Sequence, residues 1–173
     1  PVRKNIVQFS QLVFIHCYSG ERFLSLMTPN LTFVPPKVIV ALHLPAFRRG
    51  DRIDMAKLKA YVMANMEVFA KGGIPAVKLQ DETLNAGPAR PETIATMAAL
   101  GRMLHDAFPQ ITLGIIIEAH DPHAALAVAQ ACDASFVRIK VFTGAMLKSP
   151  GIQSGCGGPA VITGLSLAGT SHT

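Results

Sequence analysis

Apolar and polar positions alternate along residues 37–148 in a regular series of strand-like and helix-like patterns. Four short apolar runs have the length of buried strands: "KVIVALHL" (37–44), "IPAVKLQ" (74–80), "ITLGIIIEAH" (111–120) and "SFVRIKVF" (135–142). A longer segment with helical spacing separates each run from the next. This β-α-β-α-β-α-β order predicts an α/β fold with a parallel sheet. The spacing of the units suits either a (β/α) barrel or a doubly wound sheet.

Helix start and stop signals bound the three helical segments. The first begins after Asp51 or Asp54 and ends at Gly72-Gly73, as glycine commonly terminates a helix. The second has Pro91 in its first turn, and the third has Asp121 as N-cap with Pro122 at the first helical position. The apolar stripes of the first two helices are predicted at Leu58, Tyr61, Val62, Met66 and Phe69, and at Ile94, Met97, Ala98, Leu104 and Phe108.

The chain divides into three zones. Residues 1–36 form a poorly defined N-terminal extension, with a strand or helix expected only near residues 6–16. Residues 37–148 hold the regular units. Residues 149–173 are rich in glycine and contain no Lys, Arg, Asp or Glu, whereas a helix that covers a barrel needs a polar outer face. This third zone is either an ordinary flexible tail or a non-native sequence that begins after the native reading frame ends near Cys156.

Composition excludes several classes of protein. The net charge is +5, but no basic cluster forms beyond Arg48-Arg49 and there is no tryptophan, so nucleic-acid binding is not expected; the charge could suit an anionic small molecule. No apolar run approaches the roughly 18 residues of a membrane helix. The three cysteines form no CxxC motif or evident disulfide framework, which indicates a reducing cytoplasm. Cys156 has no evident base partner and is not expected to be a nucleophile.

The polar residues of all four predicted strands can share one face. In the run 135–142, Val137, Ile139 and Val141 would face the helices, while Arg138 and Lys140 point to the opposite face, which in a barrel is the interior. The other strands follow the same rule near their carboxyl ends, where barrel enzymes bind and react. The candidate site residues are His43, Lys78, Gln80, Asp81, Glu118, His120, Arg138 and Lys140.

These residue types allow more than one role. Glu118 facing Arg138 or Lys140 would form a paired buried charge, which offsets much of the cost of burial. His43, Glu118 and His120 could act as acid or base groups, and Glu118 with His120 could ligate a divalent ion, although no metal is assigned. The structural alternative is an Arg138–Glu118 ion pair with His43 a satisfied interior residue. The sequence identifies no cofactor.

Several motifs resemble the BtpA/SgcQ family: "ALHLPAF", "ARPETIATMAAL", "LGIIIEAHDPHAALAVAQACDASFVRIKVFTGAM" and "GIQ". That family is named for a protein implicated in photosystem I biogenesis and is placed among (β/α)8 TIM barrels related to ribulose-phosphate-binding barrels. The resemblance covers about residues 37–155. It implies roles for His43 and Pro45, for Pro91-Glu92-Thr93, and for Arg138, Thr143 and Gly144.

This chain departs from the family pattern in two places. It has "GIIIEAHD" where many members have an Asn-containing "GVNVLRND", and "KLQDETLNAG" where they have an "ENFGD"-like loop. Members also continue with further strands, whereas this chain supplies about four units of an eight-stranded barrel. We therefore expect a partial (β/α)8 barrel from a truncated or frameshifted copy, or an assembled fragment, of a family barrel, with unpaired edges at the first and fourth strands that invite self-association.

Two functions are compatible with these observations. The first is binding or transformation of a small anionic metabolite, such as a phosphorylated sugar, at the carboxyl-end mouth of the barrel, with this partial chain expected to be inactive. The second, which rests on the resemblance alone, is a non-catalytic photosystem I biogenesis or assembly factor. The sequence does not define a reaction type, and it leaves open whether the protein is an enzyme.

Overall fold

A computed structural model describes residues 12–13, 36–46, 52–82, 87–148 and 151–159. The strands are β1 (Leu12–Val13), β2 (Val40–His43), β3 (Ala76–Gln80), β4 (Thr112–Ile116), β5 (Phe136–Arg138), β6 (Ala145–Lys148) and β7 (Gly151–Ser154). The helices are α1 (Met55–Lys71), α2 (Pro91–Ala107) and α3 (Pro122–Ala131). The predicted order of four strands and three intervening helices is confirmed.

Strands β2, β3, β4 and β5 lie side by side in chain order and are parallel. A doubly wound sheet would reverse its order at a switch point, whereas a barrel adds each strand beside the previous one. The sequential order therefore settles the alternative that strand spacing left open. The fold is α/β, with the strand arrangement of a partial (β/α) barrel.

The hydrophobic core lies between this sheet and the helices. Val62 and Met66 of α1 and Met97 of α2 are buried against strand residues Leu79 and Ile115. Val137, Ile139 and Val141 of the last run are all buried, although β5 itself ends at Arg138 and Phe136 on the opposite face is buried too. Tyr61 departs from the predicted stripe of α1: its side chain is 41% exposed, and its hydroxyl donates to the carbonyl of His43 at 3.1 Å. A phenol can leave the core in this way because its hydroxyl favours a polar partner.

Aspartates begin two of the helices. Asp54, not Asp51, caps α1, and its carboxylate accepts the backbone N–H of Lys57 at 3.1 Å. Asp121 caps α3 by accepting the N–H of Ala124 at 3.0 Å, and its other oxygen accepts the N–H of Ala89, also at 3.0 Å. Asp121 thus satisfies helix N–H groups as an N-cap should and also holds the approach to α2.

The expectation of an unpaired edge at the fourth predicted strand is wrong. Leu12 and Val13 pair antiparallel with β5, opposite Arg138 and Val137 respectively. An extended apolar segment from the N-terminal zone can do this because β5 offers a row of backbone N–H and C=O groups. The strand lies within residues 6–16, where an element was expected. The rest of that zone up to residue 35 lies outside the described residues.

The chain beyond β5 forms the antiparallel hairpin β6–β7 and then returns to the sheet. Gly155 N–H donates to the carbonyl of Gly144 at 2.6 Å, and Gly157 N–H donates to that of Phe142 at 2.8 Å. These bonds fasten the segment after the hairpin to the segment after β5. Residues 160–173 lie outside the described residues, so the proposed non-native tail stays a prediction.

Across the described parts of the chain, every helix is too short or too polar to cross a bilayer.

Gly114 is expected to be intolerant of a side chain, because a Cβ there would lie 2.2 Å from the Phe136 ring. Gly114→Ala should destabilise the fold by about 1–3 kcal/mol, the usual cost of overpacking a core. Urea unfolding followed by circular dichroism measures this change. Gly158→Ala is the matched control, since nothing lies within 4 Å of its added Cβ. Adding Phe136→Leu should lower the cost of Gly114→Ala, and an equal cost in both backgrounds would contradict the packing explanation.

Candidate functional site

The parallel register brings polar residues from neighbouring strands to one edge of the sheet. Ala41, Lys78, Gly114 and Phe136 are aligned across β2 to β5, and His43 is aligned with Gln80 one layer nearer the carboxyl ends. We call the polar residues on and just beyond the ends of β3, β4 and β5 the carboxyl-end cluster: Lys78, Gln80, Asp81, Glu118, Arg138 and Lys140.

Glu118 is the centre of the carboxyl-end cluster. One carboxylate oxygen accepts from Gln80 Nε2 at 3.0 Å, and the other is ion-paired with Lys140 Nζ. Lys140 also donates to the backbone carbonyl of Glu118 at 2.6 Å, while the Glu118 N–H donates to Asp81 at 2.6 Å. The two paired side chains are only 12% and 14% exposed. Multiple hydrogen bonds of this kind offset the cost of removing both charges from water.

Arg138 and Lys140 were both expected to face Glu118, and the structure pairs Glu118 with Lys140. Lys78 and Arg138 are half-buried, and neither makes a hydrogen bond or ion pair within the described residues. Burial lowers the pKa of the Lys78 amine, and the charge of Arg138 lowers it further, while the Glu118 carboxylate acts in the opposite direction. Within the part of the chain that the structure describes, the site therefore holds two neighbouring cations that have no ion-pair partner of their own.

His43 lies at the exposed side of the site. Its Nδ1 is hydrogen-bonded to Glu82, and the same Glu82 oxygen accepts from Gln80 Nε2 at 3.3 Å. A chain of side chains thus connects His43 to Glu118 through Glu82 and Gln80. Sequence reasoning missed Glu82, although its position two residues past a strand end was a usable signal. It also missed Tyr61 as a site neighbour, because helical periodicity assigned that residue to the core.

His120 is oriented towards the hairpin instead of the centre of the cluster. Its Nε2 lies 2.7 Å from the carbonyl oxygen of Ser154 in β7. Strand β4 ends at Ile116, so the alternation that placed Glu118 and His120 on one strand face does not extend to them. Within the described residues, no group of three or more His, Cys, Asp or Glu side chains is arranged to hold a metal ion.

Thr143 and Gly144 belong to a separate feature beside the hairpin. With Phe142, Ser154, Gly155, Gly157 and Gly158 they line an open depression of about 740 Å3. The chain approaches itself closely here, because a Cβ on Gly155 would lie 2.7 Å from the carbonyl oxygen of Phe142. None of the charged candidates lines this depression. The hydrogen bond from His120 to Ser154 connects it to the rest of the site.

Cys156 occupies a structural position below the hairpin. Its thiol is buried, donates to the carbonyl of Val141 at 3.4 Å, and has a pKa raised by burial. A buried, protonated thiol is a poor nucleophile at neutral pH.

Other motif residues lie near the same edge. Pro45 is exposed after β2, and Pro91 opens α2 as the resemblance implied. Thr93 is 2% exposed, and its hydroxyl has no hydrogen-bond partner within the described residues.

The chain matches one family model. Residues 36–161 match the model described as the BtpA family, a span that includes every element from β2 to β7. Comparison with curated proteins and with solved structures gave no match.

Replacing Lys140 with methionine should lower the stability of the fold, whereas replacing Lys78 with methionine should raise it. Lys140→Met removes the counter-ion of a nearly buried carboxylate and should cost about 2–3 kcal/mol, less than for fully buried pairs because some exposure remains. Lys78→Met removes a desolvated cation that Arg138 repels, and should stabilise the fold at pH 7. Urea unfolding of both variants measures these changes, with exposed Lys59→Met as the control.

The effect of Lys78→Met should depend on pH. Because the folded-state pKa of Lys78 is lowered, the unfolded chain binds more protons between that pKa and the ordinary value of about 10.4. The contribution of Lys78 to the free energy of unfolding of the wild-type chain therefore rises with pH across this window. The stability difference between Lys78→Met and the wild type should become smaller as the pH rises. A constant difference from pH 7 to pH 10 would contradict this explanation.

Proposed function

The chain belongs to the BtpA family, and from this premise we propose that its carboxyl-end cluster binds a small anionic metabolite, such as a phosphorylated sugar. The observation that carries the proposal is the pair of half-buried cations, Lys78 and Arg138, without ion-pair or hydrogen-bond partners within the described residues. An anion between them would supply the missing counter-charge and relieve their mutual repulsion.

The chemistry of the two cations suits a phosphate or carboxylate group. The Arg138 guanidinium can form two parallel hydrogen bonds to such a group, and the Lys78 ammonium adds a point charge. Gln80 and Lys140 hold the Glu118 carboxylate, and Asp81 accepts the Glu118 backbone N–H, so the carboxylate is fixed near Lys78. The position at the carboxyl ends of parallel strands is the usual place for ligands in barrel proteins.

Any transformation of the ligand would use the acid–base groups at the same edge. Glu118 lies at the centre of the cluster, His43 is reached through Glu82, and His120 lies at the hairpin. Thr143 and Gly144 would contact a part of the ligand that extends into the neighbouring depression. The proposed location is the cytoplasm, and free Cys132 and Cys156 fit a reducing compartment.

A non-catalytic assembly role, including one in photosystem I biogenesis, is the second candidate. The hairpin exposes three apolar side chains, Met146, Leu147 and Ile152, which are 42%, 80% and 76% exposed. Leu147 and Ile152 are cross-strand partners on one face of the hairpin, and Met146 lies on the other face. Neighbouring exposed apolar side chains such as Leu147 and Ile152 are a feature of protein-binding surfaces. This role predicts binding of a protein partner that does not depend on Arg138.

Arg138→Ala should weaken the binding of inorganic phosphate and ribose 5-phosphate to the full chain by about tenfold or more. Hydrogen bonds to a charged group contribute roughly 1.5–3 kcal/mol, and tenfold corresponds to about 1.4 kcal/mol. Isothermal titration calorimetry measures the affinities.

Arg102→Ala is the matched control for the loss of an arginine. Arg102 lies on α2 and pairs with Asp106 and Asp133, away from the carboxyl-end cluster. Its replacement should leave the affinity for both probes unchanged. The anion-binding proposal fails if neither probe binds the wild-type chain, or if both variants bind equally well.

A further inference from the structure

The carboxyl-end cluster contains two lysines in different chemical states. The Lys140 ammonium is paired with the Glu118 carboxylate and donates to the Glu118 carbonyl. The Lys78 amine makes no hydrogen bond or ion pair within the parts of the chain that the structure describes. An amine held as an ammonium ion by a carboxylate is a weak nucleophile, so only Lys78 of this pair is available for reaction.

The surroundings of Lys78 make its amine easier to deprotonate than an exposed lysine. The side chain is half-buried, and Arg138 places a second positive charge near it, so the pKa of the amine lies below its ordinary value. A lysine beside another cation in a partly desolvated site is a recognised arrangement for an activated amine. Among the described residues, the other charged groups at this edge are Asp81, the His43–Glu82 pair, and Glu118 with Lys140. The Glu118 carboxylate acts on the Lys78 pKa in the opposite direction although it is paired with Lys140.

The two sheet neighbours of Lys78 set the space around its side chain. Its register neighbours on β2 and β4 are Ala41 and Gly114, two of the smallest residues. Ala41 leaves space beside the half-buried Lys78 side chain, whereas the Phe136 ring occupies the space over Gly114. Phe136 fills the next position of the same layer and provides an apolar wall beyond Gly114.

We propose that the Lys78 amine forms an imine with the carbonyl group of a small aldehyde or ketone that also carries an anionic group. Arg138 holds the anionic group, and Lys78 attacks the carbonyl carbon. The inference rests on the proposed function for the anionic part of the ligand, whereas imine formation itself requires only the reactive amine.

The reaction balances without an oxidant or a reductant. The Lys78 nitrogen forms a bond to the carbonyl carbon, and a proton moves from nitrogen to the carbonyl oxygen to give a carbinolamine. The second amine proton and the hydroxyl group then leave as water, and a carbon–nitrogen double bond remains. Protonation of that nitrogen by solvent gives an iminium ion, which withdraws electrons from the adjacent carbon.

Trapping with sodium cyanoborohydride tests the inference on the full chain. The reagent supplies hydride to an iminium ion and converts it to a stable secondary amine. The probes are glycolaldehyde phosphate, which is anionic, and glycolaldehyde, which is its neutral counterpart. Mass spectrometry of the digested protein locates the adduct. We expect it mainly on Lys78 at pH 7, with loss of that adduct in Lys78→Arg and retention in Lys71→Arg, whose replaced lysine is exposed at the end of α1.

The outcomes separate this inference from the proposed function. Phosphate binding without an adduct on Lys78 from either probe overturns the imine and leaves the anion site intact. An adduct on Lys78 from both probes at equal rates, without competition by inorganic phosphate, supports the imine and contradicts the anion site. If Lys78→Arg does not fold, peptide mapping of the wild-type chain still tests the inference. Equal labelling of Lys78 and of exposed lysines in that chain overturns it.

Discussion

The ion pair between Lys140 and Glu118 holds the carboxyl-end cluster together, because it joins the chain after β4 to the chain after β5. The Glu118 carboxylate also accepts a hydrogen bond from the side chain of Gln80 at the end of β3, and the Glu118 backbone N–H donates to Asp81. Three neighbouring strands therefore end on one carboxylate. A nearly buried charge is tolerated only when it is paired and hydrogen-bonded, and every contact of Glu118 meets that requirement.

This pair also determines the state of the other cations. A carboxylate that is bonded to Lys140 and Gln80 is not the ion-pair partner of Arg138, so Arg138 and Lys78 remain half-buried without a counter-ion in the described residues. An arrangement that serves stability alone would pair them or expose them. Half-buried charge without a partner is typical of sites that bind or react, and it is the physical basis for the functions proposed for this protein.

The two faces of the sheet are packed differently. One face carries Val77, Leu79 and Ile115 into the core beneath the helices, which leaves no space for a ligand there. The other face carries Lys78 between Ala41 and Gly114, with the Phe136 ring over Gly114. Alternation of side chains along each strand thus separates the part of the sheet that stabilises the fold from the part that can do chemistry.

Much of this arrangement could be predicted from local patterns. The helix limits followed from Asp54, Pro91 and Asp121, and the faces of Lys78 and Gln80 followed from the period of a strand, because caps and alternation depend on near neighbours in the chain. Predictions failed where local signals conflict with tertiary contacts. Tyr61 fits a helical stripe but turns its hydroxyl to the carbonyl of His43.

The sequence by itself determined the order of strands and helices and the polar face of the sheet, since both arise from periodicity over a few residues. Only the tertiary structure decided that Lys140 and not Arg138 pairs with Glu118, that Glu82 connects His43 to Gln80, and that Leu12–Val13 covers β5. Each of these contacts joins residues far apart in the chain. Their distances depend on strand register and on the bends after the strands, which no short window of sequence contains.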